Sequence, residues 1–144
     1  MDIAILRARP QDAPFLHRMN ERFNGEGTHT EEGIRASLEG DGKEIVLIAM
    51  DSENAAGFIC GQIFKSMCYS AYYGEITELF VEEKYRRQGV GGQLMAAMEE
   101  EFKRNSVRAF QLFTGGKNVN AQRFYEACGY QRANEVMYRK RAGS

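Results

Sequence analysis

The stretch ELFVEEKYRRQGVGGQL, Glu78 to Leu94, passes from an apolar run through a basic turn to three glycines that open a helix. Gly89, Gly91 and Gly92 lack a Cβ, so main-chain N–H groups there can approach an anion closely. The first turn of a helix leaves about four N–H groups without partners and carries roughly half a positive charge. A phosphate satisfies both. Arg86 and Arg87 add planar donor forks that match phosphate oxygens, and Lys84 extends the cationic cluster. Gly-x-Gly-Gly alone would describe a tight turn with a solvated rim. The two arginines, the strand before it and the amphipathic pattern after it favour a phosphate cradle. Two nucleotide classes drop out. The dinucleotide pattern Gly-x-Gly-x-x-Gly fails because Leu94 stands where its last glycine belongs. The triphosphate-loop pattern fails because Gly116-Lys117 is followed by Asn118 and its upstream glycine is Gln111.

Downstream of the cradle, Val90, Leu94, Met98 and Phe102 recur every four residues, an amphipathic helix of about four turns. Glu99, Glu100 and Glu101 lie on its outer face, with Lys103 and Arg104 as surface support. Ala109–Thr114 then reads as a strand, Asn120–Cys128 as a short helix stopped by Gly129, and Gln131–Tyr138 as a final strand. Upstream, Glu44–Met50, Ala56–Lys65 and Gly74–Val81 are strand-like, and the polar turn at Asp51–Asn54 predicts an antiparallel hairpin. Ile3–Arg7 reads as an opening strand. Asp12 and Pro14 start a helix whose Phe15, Met19 and Phe23 would line one buried face, and Asn24–Gly27 breaks it. Thr28 and Glu31 suggest a capping box for a second helix carrying Ile34 and Leu38. The order β-α-α-β-β-β-α-β-α-β describes an α/β fold, a mixed sheet flanked by helices with an antiparallel front half and a β-α-β crossover behind it.

A chain of 144 residues suits one domain, 1–144, and 43% hydrophobic with 27% charged residues is the balance of a globular chain. A net charge of −1 gives no general attraction to nucleic acid or acidic membranes, so no nucleic-acid partner and no membrane association are expected. The opening residues lack the apolar core of a secretory signal, and Cys60, Cys68 and Cys128 have no metal-ligand spacing, which suggests reduced thiols and a cytoplasmic location. His17 and His29 are too few and too far apart for a metal site, so no metal is expected.

Two motifs then carry a resemblance. Arg86, Gly89 and Gly91 meet a Gln/Arg-x-x-Gly-x-Gly/Ala signature at a strand-to-helix turn. Asn120, Ala121, Phe124, Tyr125, Gly129 and Tyr130 meet a later Asn-Ala, aromatic-pair, Gly-aromatic pattern. With these in place the chain resembles the GNAT superfamily of acyl-CoA-dependent N-acetyltransferases, over nearly its whole length and most strongly from Gly74 to Tyr138. The resemblance implies acetyl-CoA as donor. Its pyrophosphate would lie on the amides of Gln88, Gly89, Val90, Gly91 and Gly92 with Arg86 and Arg87. Its pantetheine arm would pair with main-chain groups of Leu79, Phe80 and Val81 between splayed fourth and fifth strands, beside Asn120 and Phe124. Many relatives form homodimers, so the resemblance allows one here.

The chemistry implied is direct transfer to a primary amine. An amine of pKa about 10.4 is unprotonated in only about one molecule in a thousand near pH 7, so attack on a thioester needs a base or a water chain leading to one. Glu78 matches the acidic residue that the family often places before the Leu-Phe-Val run; Glu75 and a water chain stay open as alternatives. Tyr125 matches the family's general-acid tyrosine, which would protonate the departing thiolate. An oxyanion donor on the fourth strand would be the Phe80 N–H. The acceptor pocket would draw on Phe23, Asn24, Glu26, Thr28, Tyr72, Tyr73 and Glu75. With Glu31, Glu32 and Glu78 this side is acidic, which suits a cationic acceptor such as a polyamine, an aminoglycoside or a lysine, and a cationic small molecule is expected. Residues 78–137 are also similar to aminoglycoside 3-N-acetyltransferases in the acidic-Leu-x-Val strand, the Arg-Arg-Gln-Gly turn and the late Glu-Val-Met. A non-catalytic acyl-CoA sensor is the competing class, against which Tyr125 and Glu78 both argue.

Overall fold

The computed structural model describes residues 1–40 and 42–143. Its chain divides into two compact units, Met1–Phe113 and Thr114–Ser144. The first holds five strands, β1 (Ile3–Arg7), β2 (Glu44–Asp51), β3 (Asn54–Phe64), β4 (Tyr73–Val81) and β5 (Ala109–Leu112), together with α1 (Ala13–Asn24), α2 (Glu31–Glu39) and α3 (Val90–Arg104). The strands form one mixed sheet in sequence order. β1 to β4 pair antiparallel and β4 pairs β5 in parallel, because α3 carries the chain back across the sheet. Among the described residues no helix is long and apolar enough to cross a membrane.

Each sheet face has its own cover. Val46, Ile48, Phe58 and Phe80 meet Leu16 and Met19 of α1 and Ile34 and Leu38 of α2. On the opposite face α3 packs through Leu94, Met98 and Phe102, all fully buried. The sheet gives it room with missing side chains. A Cβ on Gly74 would lie 2.5 Å from the Phe102 ring, and one on Gly61 would lie 2.8 Å from the Met98 sulfur. The expected buried face of α1 turns slightly: Ala13, Leu16 and Met19 are buried, Phe15 is half-buried, and Phe23 is 41% exposed. Phe23 lies in the last turn, and its ring meets Phe80 at 5.4 Å and Phe58 at 6.3 Å.

The helix ends differ from their expected caps by a few residues. Asp12 accepts from the N–H of Arg9, behind it, and does not cap α1. Thr30 is the residue that caps α2, accepting from Gly33 N–H at 2.9 Å. Thr28 closes the end of α1, its hydroxyl 2.7 Å from the Gly25 carbonyl oxygen and 3.1 Å from that of Asn24. A hydroxyl can serve either end of a loop, and here the helix behind offers unpaired carbonyls within reach.

The second unit holds α4 (Val119–Ala127). Asn118 caps it by accepting from Ala121 N–H at 3.1 Å, and Gly129, at φ +98°, ends it. The final strand expected at Gln131–Tyr138 does not form among the described residues. Val136, Met137 and Tyr138 are 73%, 51% and 91% exposed, three apolar side chains in succession without the alternation of a half-buried strand. β-propensity needs a ladder partner to become a strand, and this segment pairs with none of the five.

Candidate active site

β4 outruns its neighbour. Its parallel register with β5 stops at Ile76 opposite Leu112, so Thr77–Val81 continue with no β5 partner. At about 3.3 Å per residue this is an open edge roughly 16 Å long. The parity of that edge follows from two contacts with β3. Glu82 N–H donates to Ala56 O at 2.8 Å, and a Cβ on Gly57 would lie 2.5 Å from the Phe80 oxygen. Main-chain groups of Phe80 and Glu82 therefore face β3, and those of Leu79 and Val81 face outward. This corrects the expectation for Phe80, whose N–H points into the sheet.

The open edge leads into the glycine turn. Arg86 donates Nε–H to Val81 O at 2.8 Å and lies over the Phe80 ring at 5.7 Å, so it spans the end of the strand. Gln88 Nε2 donates to Lys84 O at 2.8 Å and closes the loop behind it. Arg87 at φ +63° and Gly89 at φ +85° are both left-handed, a conformation that costs a non-glycine residue roughly 1–2 kcal/mol. Gly89 begins α3, and the first helical bond there is Gln93 N–H to Gly89 O at 3.0 Å. The amides of Val90, Gly91 and Gly92 precede it and have no acceptor inside the helix. Val90 is buried and anchors the turn, while Gly89 is exposed and a Cβ on Gly89 or Gly92 would meet nothing within 4 Å. Such a turn is a concave set of donors at the positive end of a helix.

A second set of groups gathers on the α1 face of the sheet. Cys60 pairs with Glu78 and Gly61 with Ile76, so Thr77 is an extra residue on β4, a bulge whose hydroxyl donates to Cys60 O at 3.3 Å. The bulge puts Glu75 and Glu78 on the same face. Asn24 Nδ2 donates to Glu78 Oε1 at 3.3 Å, and Gln111 Nε2 to Glu75 Oε1 at 2.9 Å. Glu44 joins them from β2. Loss of solvent raises the Glu44 carboxyl above its ordinary value against the opposing hydrogen bond from Cys60, and the Glu78 charge raises it further. Burial, then the charges of Glu44 and Glu78, push the Cys60 thiol well above its usual range. Neither Glu44 nor the Cys60 link stood out in the sequence. The signal was there: a carboxylate at the start of β2, in step with Val46 and Ile48, lands one strand from Cys60 once the hairpin register is drawn.

The remaining expected residues fall in three places. Glu26 and Thr28 lie in the exposed loop after α1. Tyr72 and Tyr73 sit at the far end of the β3–β4 hairpin, where Tyr73 stacks on Phe64 at 5.9 Å and Lys65 lies over Tyr72 at 5.7 Å. Asn120, Phe124 and Tyr125 belong to the second unit. There Asn120 is exposed, and the half-buried Tyr125 ring meets Phe124 at 5.3 Å and Tyr130 at 6.4 Å, with Tyr130 N–H donating to Tyr125 O at 3.0 Å.

Comparison with known proteins meets this geometry. Residues 10–130 match the model of the acetyltransferase (GNAT) family. The chain belongs to that family. The GNAT match runs through both compact units and takes in the glycine turn and Tyr125. An uncharacterized N-acetyltransferase of Archaeoglobus fulgidus is 38% identical over 85 residues, 58% of this chain and 57% of the relative. The aminoalkylphosphonate N-acetyltransferase of Salmonella typhimurium is 31% identical over 87 residues, 60% of this chain and 56% of the relative. The GNAT fold itself is shared with an aminoglycoside acetyltransferase from an uncultured soil metagenomic sample, at TM-score 0.83 and 17% identity over 99% of this chain and 97% of that one. The aminoglycoside N-acetyltransferase AAC(6')-Iy, solved with CoA, superposes at TM-score 0.82 with 23% identity over 98% and 96% of the two chains.

Proposed function

We propose that this chain transfers an acetyl group from acetyl-CoA to a primary amine on a cationic small molecule. The observation that carries the reading is the continuity of two surfaces. The outward groups of Leu79 and the N–H of Val81, whose carbonyl accepts from Arg86, lead toward the helix-start amides of Val90, Gly91 and Gly92. An extended amide-bearing arm that ends in a diphosphate could use both surfaces at once. Arg86 and Arg87 would complete the anion site. In this reading residues 1–144 act as one transferase domain.

Chemically, Glu78 takes a proton from the acceptor ammonium and the freed nitrogen lone pair attacks the thioester carbonyl. An outward N–H of the open edge, that of Leu79, stabilises the oxyanion. As the tetrahedral adduct collapses the C–S bond breaks and Tyr125 protonates the departing thiolate; the second proton of the nitrogen passes through water to restore the Tyr125 hydroxyl, and the one proton held on Glu78 is released to solvent. Glu44, Glu75 and Glu78 share one face of the sheet, which favours a polyamine or aminoglycoside over an acceptor with an anionic group, such as an aminoalkylphosphonate.

The test is thiol release from acetyl-CoA against a panel of polyamines, aminoglycosides, lysine and aminoalkylphosphonates. Cationic acceptors should turn over, and Tyr125→Phe should lower kcat by roughly 10²-fold or more while CoA affinity holds. Tight CoA binding with no release for any amine would instead make the chain a sensor.

A further inference from the structure

We infer that Asn24 is a positioning residue for the reaction, holding the Glu78 carboxylate by one oxygen so that the other is left to take the proton of the acceptor ammonium. The inference rests on the reading of Glu78 as the base. Asn24 is the last residue of α1, and its place is set from both sides. Gly25, at φ +101°, turns the chain out of the helix and donates its N–H to Glu21 O at 2.9 Å. The Thr28 hydroxyl reaches back to the carbonyls of Asn24 and Gly25. A side-chain amide has two N–H hydrogens, and both are accounted for. Asn24 Nδ2 donates to Asn20 Oδ1 at 2.7 Å, one turn back, and to Glu78 Oε1 at 3.3 Å. The orientation of the amide is forced. An ionised carboxylate only accepts, so turning the Asn24 oxygen toward Glu78 would set two acceptors face to face.

The other groups about Glu78 could not do this. Cys60 stands opposite it on β3, a thiol whose ionisation is pushed up by burial and then by the charges of Glu44 and Glu78. Glu75, on the same strand, is bonded to Gln111 of β5. The neighbours from the sheet are thus two carboxylates and a weakly donating thiol, and α1 supplies the amide donor. A donor on one oxygen fixes the plane of the carboxylate, which a base must hold to meet its proton in line. Asn24 was expected to touch the acceptor. The geometry assigns it instead to the residue that acts on the acceptor.

A double-mutant cycle on the full chain tests the assignment, with spermidine as acceptor and thiol release as readout. E78Q alone reports on the underlying reading, and an unchanged kcat there removes both the base and this inference. If Glu78 is the base, N24A should lower kcat about tenfold, leave the KM for acetyl-CoA unchanged, and cost less than about twofold when added to E78Q. N24D keeps the shape, removes the donor and should be at least as slow as N24A. An N24A loss of equal size in both backgrounds would overturn the inference, because it would mean direct contact with the acceptor or damage to the fold. So would an N24A variant as fast as wild type.

Discussion

Gly92→Asp separates stability from binding, because the structure gives the two effects opposite signs. Gly92 is the third residue of α3, and a Cβ there meets nothing within 4 Å, so the substitution fits the fold. An acidic residue in the first turn of a helix stabilises it by about 0.3–1 kcal/mol. For a chain of this length that is a rise in Tm of about 1–4 °C. A helical Cα–Cβ bond leans toward the N-terminus, which brings the new carboxylate to the amides of Val90 and Gly91. A charge about 5 Å from a doubly charged diphosphate, at an effective dielectric near 40, repels it by roughly 3 kcal/mol, or about two orders of magnitude in Kd. Calorimetry of CoA binding at low ionic strength should show that loss, narrowing toward 1 M salt as the charges are screened. Gly92→Asn adds nearly the same volume without the charge and should retain most of the affinity. Undiminished CoA affinity in a folded Gly92→Asp protein would remove the cradle. An equal loss in Gly92→Asn would show that shape, not charge, governs the site.

Two further outcomes follow from shifted ionisations. The exposed Cys68 should react with iodoacetamide near pH 8 well before the half-buried Cys60, and Glu44→Gln, which removes a neighbouring charge, should speed Cys60; site-resolved mass spectrometry reads both, and equal rates for the two thiols would contradict the raised Cys60 thiol. Asp51 is held below the usual carboxylate value by the N–H of Asp2 and then by the Tyr85 hydroxyl at 2.8 Å, so its contribution is complete above about pH 4 and is lost as pH falls through the lowered value. Asp51→Ala should therefore lower Tm at pH 7 and match wild type in strong acid, whereas a deficit that persists there would assign the effect to packing.

How much of this the sequence could carry depends on distance along the chain. The glycine turn is local: strand end, arginines and helix start lie within Glu78–Leu94, and each acts on its near neighbours. Periodicity likewise located the five strands and four helices to within a few residues, because burial repeats at short range. Gln131–Tyr138 failed for the complementary reason: its residues favour a strand, but whether a strand forms is decided by a partner elsewhere. The surroundings of Glu78 are of the same non-local kind. Its hydrogen bond to Asn24 joins residues 54 apart, and Glu44 reaches Cys60 only through a hairpin register. Parity is the hardest case. Which amides of β4 face outward and which carboxylates face α1 both depend on one extra residue, Thr77; the alternation of GEITELFV breaks at Thr77-Glu78, but only the pairing with β3 makes that break a bulge. A one-residue slip reverses every side chain and every main-chain group beyond it. Without that bulge Glu78 would turn from Asn24 toward α3, and Leu79 and Val81 would turn their N–H groups into β3. The base position and the open edge are therefore set by a single feature. A variant that deletes Thr77 should lose turnover and CoA affinity together, where substitutions of Glu78 alone would touch only the first.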